Sequence, residues 1–310
     1  MKLNEFFNLD IKEIATLIRK KRKPKNIALM YDGTRRMLKL ESEHHNDRWL
    51  YDPRHIQNLM YKCVETADLL FEMGVDTITA PLASIGNLNR ENFMPTGIER
   101  LLGPLLEDYP LSIIDKHNIA VTFYGDLEYA RSLQGGEIID EYTKRFSEIS
   151  HGQVKHHVAI GIGFSTERET ELIAQRAVDF YIQNGRKPTY KELVVNYFGF
   201  NAPLIDIFIR TNEMKASGGL TPLLTGLDTQ WYIPVSPGIV SMNEHTVKLI
   251  LHDYLFNRSL SEGMYEHCPI TPDDATYVRE FYSNSRHKVL GVGRRVGDLW
   301  IAESGGVVER

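Results

Sequence analysis

Cysteine is nearly absent. Cys63 and Cys268 are the only two in 310 residues, which argues against a disulfide framework and a cysteine-based zinc site. Long apolar runs are missing as well, since no uninterrupted stretch approaches the ~20 residues of a membrane-spanning helix. The opening stretch MKLNEFFNLDIKEIA has acidic residues early and lacks the apolar core and small-residue cleavage site of a secretory signal. A basic footprint is lacking too. Its 36 Lys and Arg against 41 Asp and Glu leave a net charge of −5, which argues against non-specific nucleic-acid binding. Repeats of roughly 20–50 residues are absent. So are a P-loop, a GxSxG elbow, an HExxH helix and an aspartate-rich DDxxD run. An ordinary helical terpene cyclase is therefore not supported. A cytoplasmic globular protein is what remains, at 42% hydrophobic and 25% charged residues.

Six short apolar runs, rich in β-branched and aromatic residues, are present: 26–31 (NIALMY), 75–82 (VDTITAPL), 119–124 (IAVTFY), 158–164 (VAIGIGF), 204–209 (LIDIFI) and 230–235 (QWYIPV). Continuous rather than alternating apolar character suits strands covered on both faces, hence a parallel sheet. Helical patterns lie between them. From Ile56 the apolar positions Leu59, Met60, Cys63, Val64, Ala67, Leu70 and Phe71 make one helix face, and Gly74 is placed to end it. Thr166 with Glu169, and Thr189 with Glu192, read as capping boxes. Asn243 is placed to cap a further helix. The expectation is an α/β fold: a central, mostly parallel six-stranded sheet flanked by helices. Residues 1–25 read as a helical lead-in ending in a basic stretch, 26–258 as the main domain, and 259–310 as a C-terminal extension packed on it, irregular over 259–288. The basic run at 19–25 reads as a solvated arm or, second, as a contact for a membrane surface or anionic ligand.

In open α/β sheets ligands bind beyond the carboxyl ends of the strands. There the sequence offers Asp32, Gly33, Thr34, Arg35 and Arg36 after the first run. Asn87 and Arg90 follow the second, Gly125 and Asp126 the third, and Arg210 and Thr211 the fifth. Arginines clamp phosphate bidentately. A carboxylate among them makes chemical sense with a divalent cation bridging it to the same phosphate oxygens.

In this order and spacing the segments resemble the cis-prenyltransferase (undecaprenyl diphosphate synthase) superfamily over roughly residues 25–235. Its MDGNGRW is read here from Met30 to Met37 as MYDGTRRM. Its FSTENWxR keeps Ser84, Asn87 and Arg90, its IGD is similar to Tyr124-Gly125-Asp126, and its DLxIRTSGExRxSN is similar to the stretch from Asp206 to Ser217. Departures occur at Thr34, Arg35, Gln230, Lys215 and Gly218, which blur the groups serving a second diphosphate. The DGTRR form, GRKPTYKEL at 185–193, LHDY at 251–254 and the C-terminal tail resemble a divergent branch of diterpene synthases, the tuberculosinol/isotuberculosinol and kolavelool synthases.

The resemblance implies a Mg²⁺-dependent enzyme that ionises a prenyl diphosphate. Asp32 would hold Mg²⁺. Gly33, Thr34, Arg35, Arg36, Asn87, Arg90 and Arg210 would bind the diphosphate. His55, or else Tyr51, would face the cation or the water that captures it. It also implies a homodimer. The alternatives are a cis-prenyl chain elongase, favoured by Arg210-Thr211, and a non-catalytic partner subunit. The tail channel is expected along the 56–71 helix face with Phe93, Met94, Leu101 and Leu102.

Overall fold

Each of the six apolar runs contributes to a strand, although the sixth strand starts at Thr225 and ends at Tyr232 rather than spanning 230–235, whose last residue, Val235, lies outside the described residues. The structure, a computed structural model, describes residues 1–33, 53–91, 93–149, 153–211, 214–215, 218–234, 238–258, 271–286, 289–296 and 299–302. The described residues divide into two compact units, Met1–Ile250 and Leu251–Arg310. In the first, β1 (Asn26–Met30), β2 (Thr77–Ser84), β3 (Ile119–Tyr124), β4 (His156–Phe164), β5 (Ile205–Arg210) and β6 (Thr225–Tyr232) form one sheet in the order β3-β4-β2-β1-β5-β6. Every pairing in it is parallel.

The helices are α1 (Leu3–Phe7), α2 (Ile11–Lys21), α3 (Pro53–Glu72), α4 (Ile85–Leu88), α5 (Thr96–Leu102), α6 (Asp108–His117), α7 (Leu127–Ser132), α8 (Ile138–Ile149), α9 (Thr166–Asn184), α10 (Tyr190–Phe198), α11 (Glu244–His252) and α12 (Pro272–Ser285). Side-chain alternation along the strands divides the core. On one face Ala28 and Phe208 pack with Leu172 and Ile173 of α9 and with Val194, Tyr197 and Phe198 of α10. On the other, Ile160 and Ile162 pack with Leu88, Ile98, Leu102, Ile139 and Phe146. Coverage of both faces is why the strands read as unbroken apolar runs.

Local signals explain most helix ends. Gly74 follows α3 at φ +93°, and a Cβ there would meet the Ala15 backbone at 3.2 Å. Thr189 and Glu192 form the expected capping box, and the Asn243 side chain accepts from Thr246 N–H at 3.0 Å. One cap differs from expectation. Ser165, not Thr166, caps α9, accepting from Arg168 N–H at 3.1 Å. Glu169, read as the partner in that box, is instead buried. The second unit also differs: part of 259–288, expected to be irregular, is α12, with Pro272 at its start and Thr271 as its cap. It is followed by the antiparallel pair β7 (Gly293–Val296) and β8 (Leu299–Ala302).

Candidate active site at the strand ends

β1 and β5 are neighbours, and their register sets Met30 beside Arg210. Two residues past Met30, the Asp32 carboxylate therefore reaches the Arg210 guanidinium. Arg210 Nη2 donates to Asp32 Oδ2, and Nη1 donates to the Lys215 carbonyl. The arginine side chain is 1% exposed and the aspartate 31%. A buried guanidinium needs such a partner, because an unpaired buried charge is strongly disfavoured. Further bonds tie the two strand-end loops together. Gly33 N–H donates to Asp32 Oδ1 at 2.7 Å. Thr211 Oγ1 donates to the Asp32 carbonyl at 3.0 Å, and Thr211 N–H to the Met30 carbonyl at 3.2 Å. Gly33 sits at φ +79°, where a glycine is strongly favoured.

The other expected site residues are placed as follows. Asn87 lies in the one-turn helix α4, where its Oδ1 accepts from the Ser84 N–H at 3.0 Å and hydroxyl at 2.7 Å. Arg90 is exposed just past α4, and His55 is half-buried in the first turn of α3. Thr34, Arg35, Arg36 and Tyr51 lie outside the described residues. Asp126 serves the fold: it caps α7 through Tyr129 N–H at 2.9 Å and pairs with Arg168 at 2.5 Å. Gly125 before it, at φ +105°, leaves no room for a side chain, since a Cβ would come within 2.1 Å of the Ile162 carbonyl oxygen.

An apolar chamber lies between the sheet and the helices α3, α6 and α8. Leu29, Ile78, Ala80, Val121 and Ile160 line it from the strands, and Met60, Cys63, Val64, Ala67 and Phe71 from α3. Its empty volume is about 760 Å³, including solvent at its opening. Tyr31, directly before Asp32 in the chain, is part of its wall. The α3 face was expected here. Phe93, Met94, Leu101 and Leu102 were expected too, but they pack into or against the core cluster around Ile98 instead.

Two features had no usable sequence signal. One is the Tyr31 side chain within the chamber wall. The other is Glu169, 1% exposed on the opposite sheet face, which accepts from the Tyr197 hydroxyl at 2.9 Å. Burial pushes the Glu169 carboxyl up to about 7, with Tyr197 and Thr221 pulling the other way.

No protein-family model matches the chain. Solved structures do match. Lavandulyl diphosphate synthase from Lavandula x intermedia, solved with dimethylallyl diphosphate, superposes at TM-score 0.60 and 14% identity, over 79% of this chain and 97% of its own. A probable undecaprenyl diphosphate synthase from Campylobacter jejuni gives 0.52 and 18%, over 77% and 98%. This is the cis-prenyltransferase fold. Over 302 residues the chain is also 26% identical to tuberculosinyl adenosine transferase of Mycobacterium tuberculosis (strain CDC 1551 / Oshkosh), covering 96% of this chain and 97% of that protein. No helix among the described residues is long and apolar enough to cross a membrane.

Among the described residues no group of three or more His, Cys, Asp or Glu side chains is placed to hold a metal by itself. Magnesium does not require one, because it commonly binds through one or two carboxylates plus substrate phosphates and water. Asp32, partly exposed and offering a carboxylate with about four acceptor sites, fits that pattern.

Proposed function

We propose that the protein ionises a prenyl diphosphate, the best candidate being a bicyclic diterpenyl diphosphate, and that water captures the cation to give a diterpene alcohol. The observation that carries this reading is the Asp32–Arg210 pair, with a carboxylate partly open to solvent, one residue along the chain from Tyr31 in the wall of an apolar chamber. A polar strand-end site next to a hydrocarbon-lined space matches a substrate with a charged head and a long apolar tail.

In the reaction the C1–O bond breaks and its electron pair leaves with the diphosphate. A water oxygen then bonds to the cation, and the proton it loses passes to a nearby base. Asp32 would hold Mg²⁺, which when bound neutralises charge on the leaving diphosphate. Arg210 fixes the Asp32 carboxylate from behind. Gly33, Thr34 and Arg35 would offer backbone donors. Arg36 and Arg90 would clamp phosphate oxygens, and Asn87 would shape that end of the site. His55, with Tyr51 as the second candidate, would orient the water or take its proton. The chamber excludes bulk water from the tail. A cytoplasmic homodimer goes with this reading. Leu227, 98% exposed, and Trp231, both on the edge strand β6, favour a covered edge.

The relative's name favours a second acceptor: a prenyl group passed to a nucleoside rather than to water. Retention of Arg210-Thr211 favours a third, isopentenyl diphosphate, as in chain elongation. One experiment separates all three. The protein is incubated with Mg²⁺ and a panel of C10–C20 and bicyclic diterpenyl diphosphates, alone, with adenosine, or with labelled isopentenyl diphosphate. Pyrophosphate release and product masses are then recorded. A terpene alcohol formed without an added acceptor supports the proposal. A nucleoside adduct or a labelled longer chain replaces it, and no pyrophosphate from any substrate refutes it.

A further inference from the structure

Alternation along β1 turns Leu29 and then Tyr31 toward the chamber, while Ala28 and Met30 face the opposite core. The Tyr31 phenol oxygen is sealed from solvent and has no hydrogen-bond partner among the described residues. It lies against the Cys63–Thr66 stretch of α3. There the Thr66 hydroxyl already donates to the Lys62 carbonyl at 2.9 Å. The rest of the chamber wall is aliphatic, aromatic or a thiol. A phenol is protonated at neutral pH, so the group is a donor. Beside it Cys63 offers only a weak sulfur acceptor.

A buried donor with no acceptor among the described residues is unfavourable, and phenylalanine would fill the same wall without that cost. An occupant that carries an acceptor would satisfy the hydroxyl. Cys63 and Thr66 lie roughly 12–17 Å along the helix from His55. The acceptor therefore belongs to the tail and is separate from the water that His55 would orient.

We propose that Tyr31 is a specificity-determining residue whose hydroxyl donates to an oxygen carried on the hydrocarbon tail, so that the chamber selects an oxygenated prenyl diphosphate. This rests on the reading of the chamber as the seat of a prenyl tail. Sites built around a buried hydrogen-bonding group discriminate strongly against the analogue lacking its partner, because the protein group is then left unpaired. An ether, epoxide or hydroxyl oxygen meets the requirement.

The test uses geranylgeranyl thiolodiphosphate, which resists ionisation, and its three epoxides at the second, third and terminal double bonds. Each is titrated calorimetrically into the full chain and into Tyr31→Phe. At least one epoxide is expected to bind the parent protein about tenfold or more tighter than the unoxidised probe, and that gain is expected to shrink to within about twofold in Tyr31→Phe. Equal affinities for all four probes, or a gain that survives in the variant, overturn the proposal and leave the chamber reading standing. No binding of any probe removes the chamber reading itself and the proposal with it. Melting of the unliganded proteins supplies a check independent of ligand. Tyr31→Phe is expected to melt no lower than the parent, and a clear drop would reveal an internal partner for the hydroxyl and overturn the proposal.

Discussion

Arg210 divides its guanidinium between Asp32 and the Lys215 carbonyl, while its Nε has no partner among the described residues. A charge so enclosed cannot be exchanged with solvent, so it holds the aspartate in one orientation. Asp32→Asn keeps the shape and a hydrogen-bonding side chain but removes the negative charge. Pyrophosphate release is expected to fall about a hundred- to a thousandfold, in line with losing one preorganised electrostatic group; undiminished turnover would refute the role given to Asp32. Glu169 predicts a pH dependence. Burial pushes its carboxyl from the ordinary value near 4.5 up to about 7 in the fold. Between those values the unfolded chain binds fewer protons than the folded one, so stability falls as pH rises through the window and levels off above it. The full effect is about 3 kcal/mol at most. Glu169→Gln should flatten this slope and leave the variant more stable than the parent at pH 8, read from urea midpoints at pH 5 and pH 8. Parallel profiles for the two proteins would show that the carboxyl does not titrate there.

Among the elements, α3 separates what a sequence can say from what it cannot. Its apolar periodicity marks a buried face but not whether that face meets packed side chains or open space. In the structure Met60, Cys63, Val64, Ala67 and Phe71 border the chamber, whereas Leu102 is fully buried in a core cluster and Phe93 packs against it. Ala67→Trp should fill the space. Affinity for geranylgeranyl thiolodiphosphate is expected to drop at least about tenfold, with dimethylallyl diphosphate affinity kept within about twofold and stability reduced by about 1–3 kcal/mol from overpacking; equal losses for both ligands would mean that the tail does not lie there. The strands were legible because both sheet faces are covered, which leaves each strand as one apolar run. The start of α9 was misread because Ser165 and Thr166 are both competent caps and Glu169 sits at capping-box spacing from Thr166 while turning inward to Tyr197. The Asp32–Arg210 pair lay beyond local pattern altogether. Both residues stood out at strand ends, but their meeting depends on β1 and β5 being neighbours across 178 residues.

At the scale of the whole molecule, β1 sits inside the sheet with β2 on one side and β5 on the other, and β6 forms an edge. The exposed Leu227 on that edge leads to the last expectation. Light scattering should give about twice the 35.6 kDa chain mass, and Leu227→Glu should shift the population toward the single chain; a parent protein that is monomeric at micromolar concentration would remove the dimer from the proposal. The sheet order also bears on how the chain is made. A ribosome releases β1 long before β5, at a pace of about 5–20 residues per second. Until β5 arrives, the strand that carries Asp32 has an open flank, and the aspartate has no guanidinium to meet. Nascent or prematurely terminated chains that stop short of Ile205 therefore lack the Asp32–Arg210 pair and present a bare, unpaired β edge instead, the kind of surface that invites aggregation.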